Sequence, residues 1–451
     1  MTSSNAPHIL FVNPWIHDFA AFDFWARPMG LMQLIAIVRS QGMTVSYLDC
    51  LNRFHPNARH FKSKQYRYGR GAYLKTQISK PKNLHHFPRK YSRYGIPTEW
   101  FINDLKSIKP PDIIMITSIM TYWYPGVQET IDCIRFVFKD TPIVLGGIYV
   151  RLCLSHAKKN MDADIFESGP GELSILEIIA QLTDFQSTSQ IDINHLDTFP
   201  YPAWDLQTHI PFVPLLTTRG CPFQCEYCAS RFLETQIRRR SIDHVCDEIS
   251  FWYLKFGVRD FVFYDDALLY QSERFAIPLL EKIIKNNFPI RFHTPNAIHI
   301  REISKPVAHL LFAAGFKHLR MGLETMDFDH RMDQKVTFSE FNTAIKHLKQ
   351  AGFHSHELGA YLLIGLPKQQ HESIIRSIDC VTKNGIKAIL AYYSPIPNTK
   401  LWPKAVESSP FDISQDPLYT NNTIFPCQPN GLDWKELSEY QARAKNDDGV
   451  Q

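Results

Sequence analysis

Thr218-Arg219-Gly220-Cys221-Pro222-Phe223-Gln224-Cys225-Glu226-Tyr227-Cys228 carries three cysteines in a CxxxCxxC spacing, directly after a strand-like run from Phe212 to Thr217. Three thiolates this close can hold three corners of a four-iron cubane, and no fourth cysteine stands near enough in sequence to close it. One iron is then left open. An open iron in a reduced cluster can chelate the amino and carboxylate groups of S-adenosylmethionine (SAM) and pass an electron into its sulfonium, releasing a 5′-deoxyadenosyl radical. The competing readings are blander. A structural zinc site uses paired CxxC or Cys/His ligands, and the nearest extra candidates, His244 and Cys246, read as part of the next helix. A redox CxxC leaves the CxxxC half unexplained.

Beyond the cysteines, strands recur at 212–218, 260–264, 290–294, 318–323, 359–364 and 388–393, with helices between them. Segment 241–256 places Val245, Ile249, Trp252 and Phe256 on one face. Segment 338–352 places Phe338, Phe341, Ile345 and Leu348 on one face, opens with a Thr337/Glu340 capping box and stops at Gly352. The cysteine motif, with Tyr227 as the aromatic before its third cysteine, resembles the radical SAM superfamily. That resemblance implies a partial (β/α)6 TIM-type barrel over 212–400, with its chemistry at the carboxyl ends of the strands.

The resemblance also implies roles residue by residue. Asp265 and Asp266, in Tyr264-Asp265-Asp266, stand where the superfamily receives the amino group of SAM, often with a GGE sequence that this chain lacks. Glu324, in Gly322-Leu323-Glu324-Thr325, resembles a GxES-like element whose acid binds the ribose hydroxyls. Gly365 and Pro367, in Ile364-Gly365-Leu366-Pro367, match a GxIxGxxP-like element beside the adenine. Three candidates for substrate chemistry remain. His293 is either a proton-transfer group or an interior histidine satisfied by a neighbour. Tyr392 and Tyr393 either line the substrate cavity or pack.

The first 186 residues alternate strand and helix. Strands Ile9–Val12, Val45–Leu48, Ile113–Thr117 and Ile143–Leu145, with helices over 31–41, 126–138 and from about 171, predict about five parallel strands in a doubly wound Rossmann-like sheet. This half is similar to the cobalamin-binding domain preceding many radical enzymes. Ser118, after Thr117, and the pair Gly146-Gly147 stand where that family holds the nucleotide tail of the corrinoid. The family's DxHxxG motif is missing: the loop reads Asn13-Pro14-Trp15-Ile16-His17-Asp18, and His17 has the wrong spacing. Glycine pairs after strands are also common turns that bind nothing.

Residues 52–98 form an insertion with twelve Lys or Arg and no Asp or Glu, against +4 for the whole chain. Its interleaved rings (Phe54, Phe61, Tyr66, Tyr68, Tyr73, Phe87, Tyr91, Tyr94) allow a nucleic-acid surface, a lid, or a solvated excursion. A linker over 187–211 contains Phe199-Pro200-Tyr201-Pro202-Ala203-Trp204-Asp205. Residues 401–451 form an extension with a short helix near 433–444, a fraying end after Lys445 and Cys427 as a free thiol.

At 451 residues, 44% hydrophobic and 21% charged, the chain can bury two sizeable cores. Nine cysteines, three of them clustered, argue against a disulfide framework and for the cytoplasm. No run of about 18 apolar residues predicts a membrane span. The expected protein is a radical SAM enzyme with a 4Fe-4S cluster and SAM, and with cobalamin if the N-terminal resemblance holds. The implied reaction is methyl transfer to an unactivated carbon of a small molecule, with flavodoxin or ferredoxin as reductant. The alternatives are corrinoid-free rearrangement, cyclisation or cleavage, and a nucleic-acid-binding iron-sulfur protein working through 52–98.

Overall fold

His8–Asn13, reading HILFVN, is buried along its whole length, as a strand covered on both faces must be. It lies second in a five-stranded parallel sheet of order Thr44–Asp49, His8–Asn13, Ile113–Ile116, Ile143–Leu145, Ile165–Phe166. The computed structural model describes residues 6–60, 67–186, 191–296, 298–328, 330–428 and 434–445. The chain divides into two units, Met1–Ile210 with Gln415–Tyr419, and Pro211–Ser414 with Thr420–Gln451.

In the first unit, helices Met29–Ser40, Tyr124–Val137 and Gly171–Leu182 answer to the three predicted ones. The sheet grows from His8–Asn13 first to one side and then to the other. The switch point lies between His8–Asn13 and Ile113–Ile116, where doubly wound sheets open their ligand crevice. The loops beside it are Pro14–Trp15 and Thr117–Ser118. The run from Phe199 to Asp205 belongs to this unit: Trp204 is buried, Gln33 Nε2 donates to Pro200 O at 2.8 Å, and Arg39 forks onto Asp205 at 2.7 and 2.9 Å.

The basic insertion has structure of its own. Tyr91–Tyr94 pairs antiparallel with both Lys75–Ile78 and Ile16–Asp18. Tyr73, Tyr91 and Tyr94 are buried, and the hydroxyls of Tyr91 and Tyr94 donate to His17 O and Phe19 O at 3.0 and 3.1 Å. These three rings are core rather than stacking platforms, which takes them out of any nucleic-acid surface. Phe61 and Tyr66 lie outside the described residues, as does the expected fraying after Lys445.

The second unit holds six parallel strands in sequential order: Val213–Leu215, Asp260–Phe263, Arg291–His293, Phe316–Glu324, Leu358–Ile364 and Lys387–Tyr392. This is the strand order of a partial (β/α)6 barrel; five strands lie within two residues of their sequence-predicted ends, and the first stops at Leu215, three residues short of its expected end at 218. Helix Ile242–Phe256 is capped by Ser241, whose Oγ accepts from His244 N, and ends at left-handed Gly257. Helix Phe338–Ala351 has the Thr337/Glu340 capping box in both directions and ends at left-handed Gly352. Cys427 is an interior thiol, 3.9 Å from Ala405 O. Among the described residues no helix is long and apolar enough to cross a membrane.

Candidate active site

The three cysteines follow strand Val213–Leu215 on a loop that begins at Gly220. That glycine has φ +84°, and a Cβ there would stand 2.4 Å from Gln236 O, so the loop closes on Gln236 only because no side chain intervenes. All three thiols are free. Burial raises the pKa of Cys221 and takes Cys225 up to about 11, with the Lys335 ammonium pulling the other way in both. Backbone N–H groups already point at the sulfurs: Phe223 at Cys221, and Ser230 N at Cys228 Sγ at 3.4 Å. No three His, Cys, Asp or Glu among the described residues converge closely enough to share one metal ion. A four-iron cluster gives each thiolate its own iron and needs no common point at which all three meet.

A cavity of about 730 Å³ opens above this loop. Its wall includes all three cysteines with Asp266, Asn296, His299, Glu324, Lys335 and Tyr361, drawn from the end of one barrel strand, the middle of the next and the loops that follow the strands. Glu324 ends its strand with φ +64°, beside a register shift at Gly322/Glu324, which turns its carboxylate into the wall. Lys335 Nζ donates to Glu324 Oε1 at 3.3 Å and lies 5.5 Å from the Tyr227 ring centre. Tyr227 in turn donates to Asp333 Oδ2 at 2.9 Å, and Asp333 takes Arg331 Nη2 at 2.7 Å. Burial raises the Glu324 carboxyl pKa and Lys335 opposes it. For Lys335, burial pulls down, but Glu324 and Cys225 outweigh it and hold the ammonium charged. The result is a buried carboxyl–ammonium pair beside the cysteines.

His299 is 5% exposed, packs its ring 4.0 Å from that of Phe223 and hydrogen-bonds the Asp266 backbone. Burial, then Lys335, lowers its pKa to about 3, so the imidazole is neutral. Its Nε2 has no hydrogen-bond partner among the described residues. Sequence reasoning missed Lys335, His299 and Tyr361: Lys335 and His299 stand in no motif, and Tyr361 lies inside the 359–367 run, of which sequence reasoning singles out Gly365 and Pro367 instead.

Other predicted residues lie away from the wall. Asp265 is buried and accepts from Thr217 N, Thr217 Oγ1 and Thr218 N at 3.1, 2.5 and 2.7 Å, pinning the first barrel strand to the second. Burial, against these bonds, takes its pKa up to about 6. Only Asp266 of the pair opens on the cavity. His293 is fully buried between Asp260 Oδ1 and His318 Nδ1, each at 3.0 Å, the interior-histidine alternative. Tyr392 accepts from Gln441 Nε2 at 3.0 Å and packs on Phe425, while Tyr393 is buried; Ala391 is the residue of that strand on the wall. Gly365, at φ +88°, donates its N–H to Gln369 Oε1 at 2.8 Å in a tight turn that runs through buried Pro367.

In the first unit, Ser118, Gly146 and Gly147 come together at the carboxyl ends of neighbouring strands. Ser118 Oγ donates to Gly146 O at 2.6 Å, and a Cβ on Gly147 would lie 2.3 Å from Ser118 O. The two loops thus meet backbone to backbone, and the Ser118 backbone takes the space that a side chain at 147 would need. His17 is buried and its Nε2 lies 2.7 Å from Glu129 Oε2. It is committed to that carboxylate, which adds a structural reason to its wrong spacing for a cobalt ligand.

Residues 215–381 match the radical SAM superfamily. Among curated proteins, the chain is 23% identical over 332 residues to an uncharacterised methyltransferase of Pyrococcus horikoshii, covering 66% of this chain and 70% of that one. It is 19% identical to cytidylyl-2-hydroxyethylphosphonate methyltransferase of Streptomyces wedmorensis, covering 97% and 89%. Among solved structures, the radical SAM methyltransferase TsrM of Kitasatospora setae, with cobalamin and a 4Fe-4S cluster bound, superposes with a TM-score of 0.65 at 15% identity, covering 89% of this chain and 75% of that one. At that identity the likeness is one of fold.

Proposed function

We propose that this radical SAM protein is a cobalamin-dependent methyltransferase acting on an unactivated carbon of a small molecule. The observation that carries the reading is the cavity in which Cys221, Cys225 and Cys228 share a wall with the Glu324–Lys335 pair, in a chain whose other unit brings Ser118, Gly146 and Gly147 together at the carboxyl ends of its strands. Its relatives of comparable length are named as methyltransferases, which supports methyl transfer over corrinoid-free rearrangement. In this reading 1–186 is the corrinoid domain, 187–211 the linker, 212–400 the radical domain and 401–451 an extension.

A four-iron cluster and a corrinoid supply the electron and the methyl carrier that no side chain can provide. The chain's own residues bind and orient. The three cysteines hold the cluster; Asp266 accepts from the SAM ammonium, and Lys335 offers its charge to the carboxylate. Glu324, kept in place by Lys335, receives the ribose hydroxyls. The Gly365–Pro367 turn, locked by Gln369 and covered by Phe425, lies off the cavity wall and fixes the end of the strand that carries Tyr361. Tyr361, whose hydroxyl donates to Pro295 O at 2.7 Å, stiffens the wall across from the cysteines. Ser118, Gly146 and Gly147 take the corrinoid tail. A reducing partner of flavodoxin or ferredoxin type delivers the electron.

The test is product analysis after anaerobic reconstitution with iron, sulfide and hydroxocobalamin, followed by SAM and reductant. Formation of both 5′-deoxyadenosine and S-adenosylhomocysteine is expected. 5′-Deoxyadenosine alone points to corrinoid-free radical chemistry instead.

A further inference from the structure

We propose that the first unit carries a second site, separate from the cysteine cavity, that binds a small oxyanion, a carboxylate or a phosphate, through Nη1 of Arg53 and Nε2 of Gln207. A cavity of about 320 Å³ lies at the carboxyl end of edge strand Thr44–Asp49, walled by the start of the basic insertion, helix Thr98–Ser107 and residues 206–209. At roughly 30 Å³ per water, that volume holds about ten waters, enough for a carboxylate or phosphate with a short attached group.

Three buried polar atoms on this wall have no hydrogen-bond partner among the described residues: the Tyr47 hydroxyl and the two proposed donors, Arg53 Nη1 and Gln207 Nε2. The Arg53 side chain is 2% exposed. Its other nitrogens are used: Nε donates to Asp23 Oδ2 at 3.0 Å and Nη2 to Gly69 O at 2.5 Å. A buried guanidinium N–H without an acceptor is expensive, so a ligand oxygen there gains a charge-assisted bond.

The wall carries both signs, Arg27 and Arg53 against Asp49 and Asp104, with Asp23 behind the arginines. Arg27 and Arg53 both bond the same oxygen of Asp23, at 2.8 and 3.0 Å, two cations on one carboxylate. The two carboxylates lining the cavity are engaged. Asp49 accepts from Asn13 Nδ2 at 2.8 Å and Leu51 N at 2.9 Å, and Asp104 pairs with His55 Nε2 at 3.1 Å. His209, edge-on to Phe54 at 4.7 Å, has its pKa lowered by burial and then by Arg27 and Arg53, so the field it feels is positive. The cations of 52–98, with no acid among them, set the same sign along the chain entering the site.

The experiment titrates the full-length reconstituted protein by calorimetry with inorganic phosphate in one arm and acetate in another, in chloride buffer at constant ionic strength. Saturable 1:1 binding to one of the two is expected, weakened at least about tenfold in Gln207→Leu and in Arg53→Lys. Arg53→Lys keeps the charge beside Asp23 while removing Nη1. Gln207→Leu removes a half-buried amide whose Nε2 makes no hydrogen bond, so the fold has little reason to change. The arm that binds distinguishes a phosphate from a carboxylate site. Binding of neither anion, or equal binding by wild type and both variants, overturns the proposal and leaves the two donors to water.

Discussion

Lys335 Nζ stands 3.3 Å from Glu324 Oε1, both side chains nearly buried, on the wall that carries the three cysteines. Removing one partner of such a pair leaves the other charge uncompensated, which costs about 3–5 kcal/mol of stability. Lys335→Met is therefore expected to lower thermal stability and to weaken SAM binding at least about tenfold. Equilibrium dialysis with labelled SAM under anaerobic conditions checks the second effect. Unchanged SAM affinity would remove Lys335 and Glu324 from the binding site.

Cys225→Ala is expected to reduce iron from about four per chain to near zero and to abolish the broad cluster absorbance near 400 nm, since two thiolates do not retain a cubane. The protein should keep its far-ultraviolet circular dichroism, because Cys225 lies on a loop and makes no disulfide. Iron analysis beside the spectrum makes the distinction.

His299 gives a pH signature with a definite sign. Its folded pKa of about 3 lies below the ordinary 6.5, so stability is complete above pH 6.5 and falls as pH drops toward 3, where the unfolded chain binds a proton that the folded chain refuses. At pH 5 the wild type should have lost about 2 kcal/mol relative to pH 7.5 from this group. His299→Gln should show a shallower loss over that interval by about the same amount, read from urea unfolding at the two pH values. Parallel losses would place the imidazole in water.

Gly147 has φ +93° and ψ −172°, a conformation essentially restricted to glycine, and its missing Cβ is what lets the Ser118 backbone approach. Gly147→Ala should cost at least about 1–3 kcal/mol and reduce corrinoid retention, while iron content stays at the wild-type level because the clash is confined to the first unit. Gel filtration after loading, with cobalt and iron counted together, tests both.

Much of this architecture can be read from local pattern. The capping box at Thr337 and Glu340 and all six barrel strands follow from short-range chemistry, and the structure contains each of them. The two-residue strand Ile165–Phe166 is too short to show a period, and the antiparallel sheet around Tyr91–Tyr94 draws on strands reading IHD, KTQI and YSRY, whose polar residues hide the pairing. Site residues failed for a sharper reason. Along a strand the side chains alternate, so a one-residue difference decides the face: Ala391 lines the cavity and Tyr392 does not. At the end of the second strand Asp266 opens on the cavity while its neighbour Asp265 turns inward to Thr217. Lys335 and His299 reach the wall from loops whose course depends on distant packing, and no local sequence pattern encodes that.

The measurement that tests the central claim most directly is corrinoid content after anaerobic reconstitution, incubation with hydroxocobalamin and gel filtration, quantified by absorbance and mass spectrometry against protein. The account predicts close to one corrinoid per chain, retained although His17 is tied to Glu129 and supplies no ligand from below. Protein that emerges with its iron but without corrinoid would contradict it.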